Sequence, residues 1–148
     1  MNQFQITEKI GREKFSQFAK QMGFTNVIFT KGAYDPTDVY FEWNGKKYTA
    51  EIKSRNVTHN RYPTIMMEYN KAKKLSELVK TQRLDGAFYV NFFEDSKVLM
   101  FDIMQFSTDN VEITTILAPA TTASASAKID KQCLLLSRKE NYCTIGNL

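Results

Sequence analysis

The sequence predicts an α/β fold, more closely an α+β sandwich around one central mixed β-sheet with helices against it. Three observations predict it. An amphipathic helical pattern opens the chain, two β-rich runs meet at Asn44-Gly45, and a second helical pattern separates that pair from further strand-like runs. A chain of 148 residues has room for a single domain over 1–148 and little for a second.

From the N-terminus, Thr7 is placed to cap a helix over about 8–22. Ile10, Phe15, Phe18 and Met22 give it an apolar face at helical spacing, and Gly23 stops it. TNVIFT (25–30) reads as a short strand and KGAYDPTD as a loop, where Pro36 forces Asp35 out of helical geometry. VYFEW, Asn44-Gly45 and KKYTAEIKS then form a hairpin. Asn-Gly between β-rich runs is the strongest short-range hairpin signal, because a type I′ turn needs positive φ at both central residues.

Residues 54–66 read as a polar loop, and 68–83 as a second helix with Leu75, Leu78 and Val79 inward. GAFYVNFF and KVLMFDI are strands joined at Glu94-Asp95-Ser96; the first is apolar almost throughout, as a central buried strand is. VEITTIL is a further strand, APATTASASAKID a surface loop of low complexity, and QCLLLSRKENYCTIG two short strands. The core therefore spans about 6–103 and a strand-rich extension takes 104–148.

Composition narrows the function classes. Hydrophobic residues at 43% and aromatics at 13% exclude a disordered chain. The N-terminus lacks an apolar signal core, and no apolar run approaches the roughly 20 residues that cross a bilayer. The expected location is cytoplasmic, without a membrane partner. Cys133 and Cys143 are expected as reduced thiols, and a lone histidine, His59, with no C-x-x-C pair argues against a zinc site. The net charge of +4 is unevenly spread. Residues 1–45 are neutral and 84–148 carry −3, whereas 46–83 hold ten basic and three acidic side chains, +7. A concentrated positive field suits a polyanion, whose bound phosphates release counterions.

Asp38, Glu51 and Lys53 carry the chemistry. In arms joined at Asn44-Gly45, Asp38 and Glu51 are equally far from the turn. Alternation puts Glu51 and Lys53 on one face and Ile52 on the other. Two carboxylates and an ammonium thus meet at one end of the hairpin. Hard oxygen ligands of this kind hold Mg²⁺ with sites left open, and a lysine beside them serves the attacking water or the charged transition state. The same residues also fit a cross-strand ion pair on a solvated face. Apolar Ala50 and Ile52, followed at once by Arg55 and Arg61, tilt the balance towards a site.

The run Pro36-Thr37-Asp38, then Glu51-Ile52-Lys53, resembles the signature of the PD-(D/E)XK nuclease superfamily, which includes restriction enzymes, archaeal-type Holliday junction resolvases and small phage nucleases. Thr37 departs from it by separating Pro36 from Asp38. The resemblance implies a restriction-endonuclease-like core, in which a three-stranded antiparallel meander carries the motif between two helices. It implies a Mg²⁺-dependent nuclease, with Mn²⁺ able to substitute, acting on nucleic acid and on DNA rather than RNA. It implies Asp38, Glu51, the Ile52 carbonyl and an acid of the first helix as metal ligands. Glu13, ten residues before Gly23-Phe24, is that acid, with Glu8 in reserve. Lys31, Arg55, Arg61, Lys71 and Lys74 are the expected nucleic-acid contacts. Lys71 has a plainer reading as an exposed i,i+3 ion pair with Glu68. A homodimer and a phage or mobile-element origin follow from the resemblance only. Two other classes compete: a non-cleaving nucleic-acid-binding module, and a phage-type interaction or inhibitor protein on the same fold.

Overall fold

In the computed structural model, which describes residues 1–32, 34–119 and 128–148, helix α1 spans Gln3–Met22 and starts a turn before Thr7. The cap is Asn2. Its side chain accepts the Gln5 N–H at 2.8 Å, and the Gln5 side chain accepts the Asn2 N–H at 3.0 Å. This reciprocal box satisfies two orphan donors at once, and nothing from Gln3 to Thr7 breaks the helix. Gly23 ends it in the left-handed conformation, φ 78°. The buried face is Gly11, Phe15, Phe18 and Ala19, while Ile10, expected inward, is 40% exposed. Gly11 explains the rotation: a Cβ there would lie 3.2 Å from Ile52 Cγ2, so the bare backbone is what packs on the sheet.

Strand β1 (Thr25–Phe29) pairs antiparallel with β2 (Val39–Trp43), and β2 with β3 (Lys46–Ser54). The turn between β2 and β3 has φ 52° at Asn44 and 77° at Gly45, as a type I′ turn requires. Its register runs from Trp43↔Lys46 to Val39↔Ala50. Strand β4 (Ile65–Glu68) follows, then helix α2 (Tyr69–Thr81), β5 (Gly86–Phe92) and β6 (Lys97–Asp102). The β4–α2 segment is a crossover, which lets β5 lie parallel to β3, Glu51 beside Tyr89 and Lys53 beside Asn91. Strands β7 (Glu112–Pro119), β8 (Lys128–Leu136) and β9 (Cys143–Asn147) complete the set. The main sheet has the order β1-β2-β3-β5-β6-β9, and β4-β8-β7 form a second sheet.

Helix α1 covers one face of the main sheet, over Phe41, Ala50, Val90, Phe92 and Val98. Helix α2 and the second sheet cover the other, over Ala87, Tyr89, Leu99 and Phe101. Strand β5 is therefore buried on both sides, as its apolar run predicts.

Two loop expectations need correction. Within 54–66, Ile65 begins β4, whose partner Leu136 lies far along the chain and leaves no local signal. Within APATTASASAKID, 118–119 and 128–130 extend β7 and β8 as a paired ribbon, and 120–127 lie outside the described residues. The rest of the 55–64 loop is tied down by His59, whose ring Nδ1 lies 2.7 Å from Asp95 Oδ2. Both cysteines are free thiols, as expected. No helix among the described residues is long and apolar enough to cross a membrane.

Because α1 reaches β3 through a missing Cβ, Gly11→Val should destabilise the protein by about 1–3 kcal/mol by overpacking Ile52. Urea denaturation measures this; a variant as stable as the parent would show that α1 can shift without cost.

Candidate active site

The end of the β2–β3 hairpin is pinned by Thr37, which is 1% exposed. Its hydroxyl donates to the Ala50 carbonyl at 3.0 Å and meets the Thr49 hydroxyl. The residue that departs from the motif's usual spacing thus holds the next one in place. Asp38 turns its carboxylate past the last rung of the ladder, where Oδ2 accepts the Ile52 N–H at 2.7 Å. Glu51 and Lys53 rise on the α2 side of β3, and Ile52 packs with the α1-side core. Asp38 and Glu51 meet at this end of the hairpin, and each bears on the other's ionisation.

Burial first, then the facing Asp38 carboxylate, pushes Glu51 up to about 7. Burial also raises Asp38, against the Ile52 N–H and the Lys71 charge, which favour its ionised form. Two acids that resist ionising together suit a hard divalent cation, which removes their repulsion and accepts oxygen ligands. Ala50 and Ile52 share a parity along β3, and the Ala50 carbonyl accepts the Asp38 N–H at 3.1 Å. The Ile52 carbonyl therefore faces the same edge, where β2 has ended. Asp38, Glu51 and this carbonyl fit such an ion; no group of three or more His, Cys, Asp or Glu among the described residues does. Lys53 is exposed and forms no ion pair among the described residues. Partial burial, Arg55 and Lys71 hold its ammonium below the usual lysine value.

The structure does not bring Glu13 to this pair. Glu13 is exposed, about 200° around the helix from both Gly11 and Phe15, which face the sheet. Glu8, two turns before Phe15, is the helix acid whose charge reaches Asp38, and it is held by Arg12 at 2.8 Å. The Glu68–Lys71 ion pair is absent as well. Lys71 Nζ lies 3.3 Å from Glu51 Oε1, and Glu68 pairs instead with Lys131 of β8 at 3.2 Å. Burial opposes the Lys71 charge, but Glu51 and Glu68 outweigh it and raise its pKa.

Arg55 is committed inward. Its Nε donates to Asn91 Oδ1 at 2.7 Å, and Nη2 donates to the Tyr89 hydroxyl at 2.8 Å and the Met66 carbonyl at 3.0 Å. It locks the start of β4 to β5, so its guanidinium is a structural clasp more than a free phosphate contact. Lys31, Arg61 and Lys74 are exposed, Arg61 over the ring of Tyr62 at 5.7 Å. Tyr34 and Tyr62 are exposed at 100% and 54%, while Trp43 packs on Phe24.

Asn91 was not singled out in the sequence. It is 0% exposed, sits beside Lys53, and its Nδ2 has no partner among the described residues. One signal marked it: it is the single polar residue in the apolar run GAFYVNFF.

The solved structure of Hjc from Archaeoglobus fulgidus, a Holliday junction resolvase from an archaeal hyperthermophile, is similar to this chain with a TM-score of 0.54. The match covers 68% of this chain and 82% of that one at 12% identity. The fold is the resolvase fold. It is the restriction-endonuclease-like arrangement shared by PD-(D/E)XK nucleases, with a mixed α/β sheet. No family model and no curated protein matches the chain.

The raised Glu51 pKa links stability to pH. The native state holds the Glu51 proton more tightly than the unfolded chain, so the stabilisation is complete below about pH 4.5 and is lost as pH rises through about 7. In EDTA, Glu51→Gln should therefore gain about 1–3 kcal/mol over the parent at pH 8, and little at pH 4.5. Thermal melts at both pH values check this, and a gain that does not depend on pH would contradict it.

Proposed function

We propose that the chain is a metal-dependent nuclease that hydrolyses phosphodiester bonds, acting on DNA as a structure- or end-directed endonuclease. The observation that carries this reading is the meeting of Asp38, Glu51 and Lys53 at the open end of one hairpin, with both carboxylates resisting ionisation. The resolvase fold supports it, because the same end of the meander carries the motif in nucleases of that fold.

Asp38, Glu51 and the Ile52 carbonyl would hold the cation, Mg²⁺ by preference and Mn²⁺ in its place. When bound, the ion supplies Lewis-acid stabilisation of charge on the phosphate oxygens and a more acidic water. Lys53, exposed and with a lowered pKa, stands on the same face as Glu51 and would orient the attacking water or meet the developing charge. The Ile52 N–H fixes the Asp38 carboxylate, so this ligand is aimed before anything binds. Glu8, in place of Glu13, would complete the acidic set from α1 after releasing Arg12. Lys31, Arg61 and Lys74 would neutralise backbone phosphates around the site.

The test is cleavage of supercoiled plasmid, linear duplex, single strand, four-way junction and RNA, each with Mg²⁺, Mn²⁺ or EDTA. Metal-dependent cutting is expected, and Asp38→Ala or Lys53→Ala should each reduce it by about 100-fold or more with the fold intact. Retained cutting in both variants would refute the assignment. In the same assay Glu8→Gln should cost at least about tenfold and Glu13→Gln almost nothing. The reverse ranking would restore Glu13.

A further inference from the structure

Glu51, the central acid of the candidate site, has one cation within ion-pair distance among the described residues, and it does not come from its own strand. Lys53 is two residues away on the same face and makes no such pair, whereas Lys71 reaches in from the first turn of α2 to 3.3 Å. The side chains are 44% and 16% exposed respectively, so a solvent-borne ammonium caps a mostly buried carboxylate. The partner that helical spacing offers Lys71, Glu68, is taken by Lys131 from β8 at 3.2 Å. That second pair turns Lys71 away from its neighbour on the helix and towards the site.

We propose that Lys71 is an internal counter-ion which a divalent cation displaces from Glu51, so that metal loading frees Lys71 to face the phosphate of the substrate. The proposal rests on the metal-dependent reading above. A cation ligated by Glu51 competes with Lys71 for the same carboxylate, a double charge against a single one. Once the carboxylate is neutralised, the ammonium loses its partner, and a phosphate at the site is the anion nearest to its new needs. Metal affinity and substrate affinity then move in opposite directions when Lys71 is removed. A lysine that served only as a structural tie would move neither in this pattern.

The experiment uses Mn²⁺ calorimetry and binding of a short DNA duplex in Ca²⁺ or EDTA, on the full chain and on Lys71→Met. The variant should bind Mn²⁺ about two- to fivefold more tightly, the factor by which a half-exposed ion pair competes. It should bind duplex more weakly in Ca²⁺ and almost unchanged in EDTA. Lys73→Met removes the same charge from the same helix without touching Glu51, and should leave Mn²⁺ affinity unchanged. Lys71→Gln, with melting curves for every variant, keeps the test open if Lys71→Met folds poorly. Equal or weaker Mn²⁺ binding in both Lys71 variants would overturn the proposal. A parent chain that binds no Mn²⁺ would overturn it together with the metal-dependent reading. Mn²⁺ binding that tightens as expected, in a chain that cuts none of the substrate panel, would sink the nuclease alone.

Discussion

The register of the β2–β3 hairpin sets where Asp38 and Glu51 can stand. Side chains alternate along a strand, so a slip of one residue would send Glu51 and Lys53 into the α1-side core and bring Ile52 to the open face. The Asn44-Gly45 turn forbids that slip by fixing both loop length and twist. At the far end Thr37 adds a second lock through the Ala50 carbonyl and Thr49. A third comes from Asp38 itself, whose carboxylate takes the Ile52 N–H where β2 has stopped supplying partners. Asp38 is thus also a strand cap. Its geometry follows from the need to satisfy a backbone donor that the ladder leaves open.

This arrangement carries an electrostatic cost that the core meets elsewhere. Two half-buried carboxylates face each other, and burial alone disfavours the charge on either. A sheet selected for stability alone would place an apolar residue at one of these positions. The surrounding aromatic packing is correspondingly dense on the α1 side, where Phe15, Phe24 and Phe41 lie in mutual contact. A cost of this kind persists where the scaffold over-determines the strand positions.

Much of this was legible in the sequence, for reasons that differ by element. The hairpin register follows from counting outward from Asn44-Gly45, because the turn sets it and the later contacts of Thr37 and Asp38 only reinforce it. Helix α2 and strand β5 carry strong periodic or apolar runs, so local pattern and tertiary position agree. What escaped was decided by distant partners. Strand β4 exists because Leu134 and Leu136 lie across from Met67 and Ile65, a pairing invisible in four residues. Glu13 lies away from the carboxylate pair: counting back from Gly23-Phe24 ignores which face Gly11 turns to the sheet. Lys71 looked like an i,i+3 partner of Glu68 only until Lys131 arrived from β8 to take that carboxylate.

The three cations around Glu51 are in three different states, and their chemistry accounts for the division. Arg55 is used where a planar fork can bind several fixed acceptors, Asn91, Tyr89 and the Met66 carbonyl, and its charge is never lost. Lys71 and Lys53 are used where a single mobile ammonium is wanted, one paired and one open to solvent. Residues beyond the resemblance hold this division in place. Strand β8 supplies both the partner of β4 and Lys131, so it fixes the first turn of α2 and takes Glu68 out of competition. The extension after residue 103 is therefore not an ornament on the nuclease-like core. Its Lys131 holds Glu68, while Lys71 is the only cation within ion-pair distance of Glu51 among the described residues.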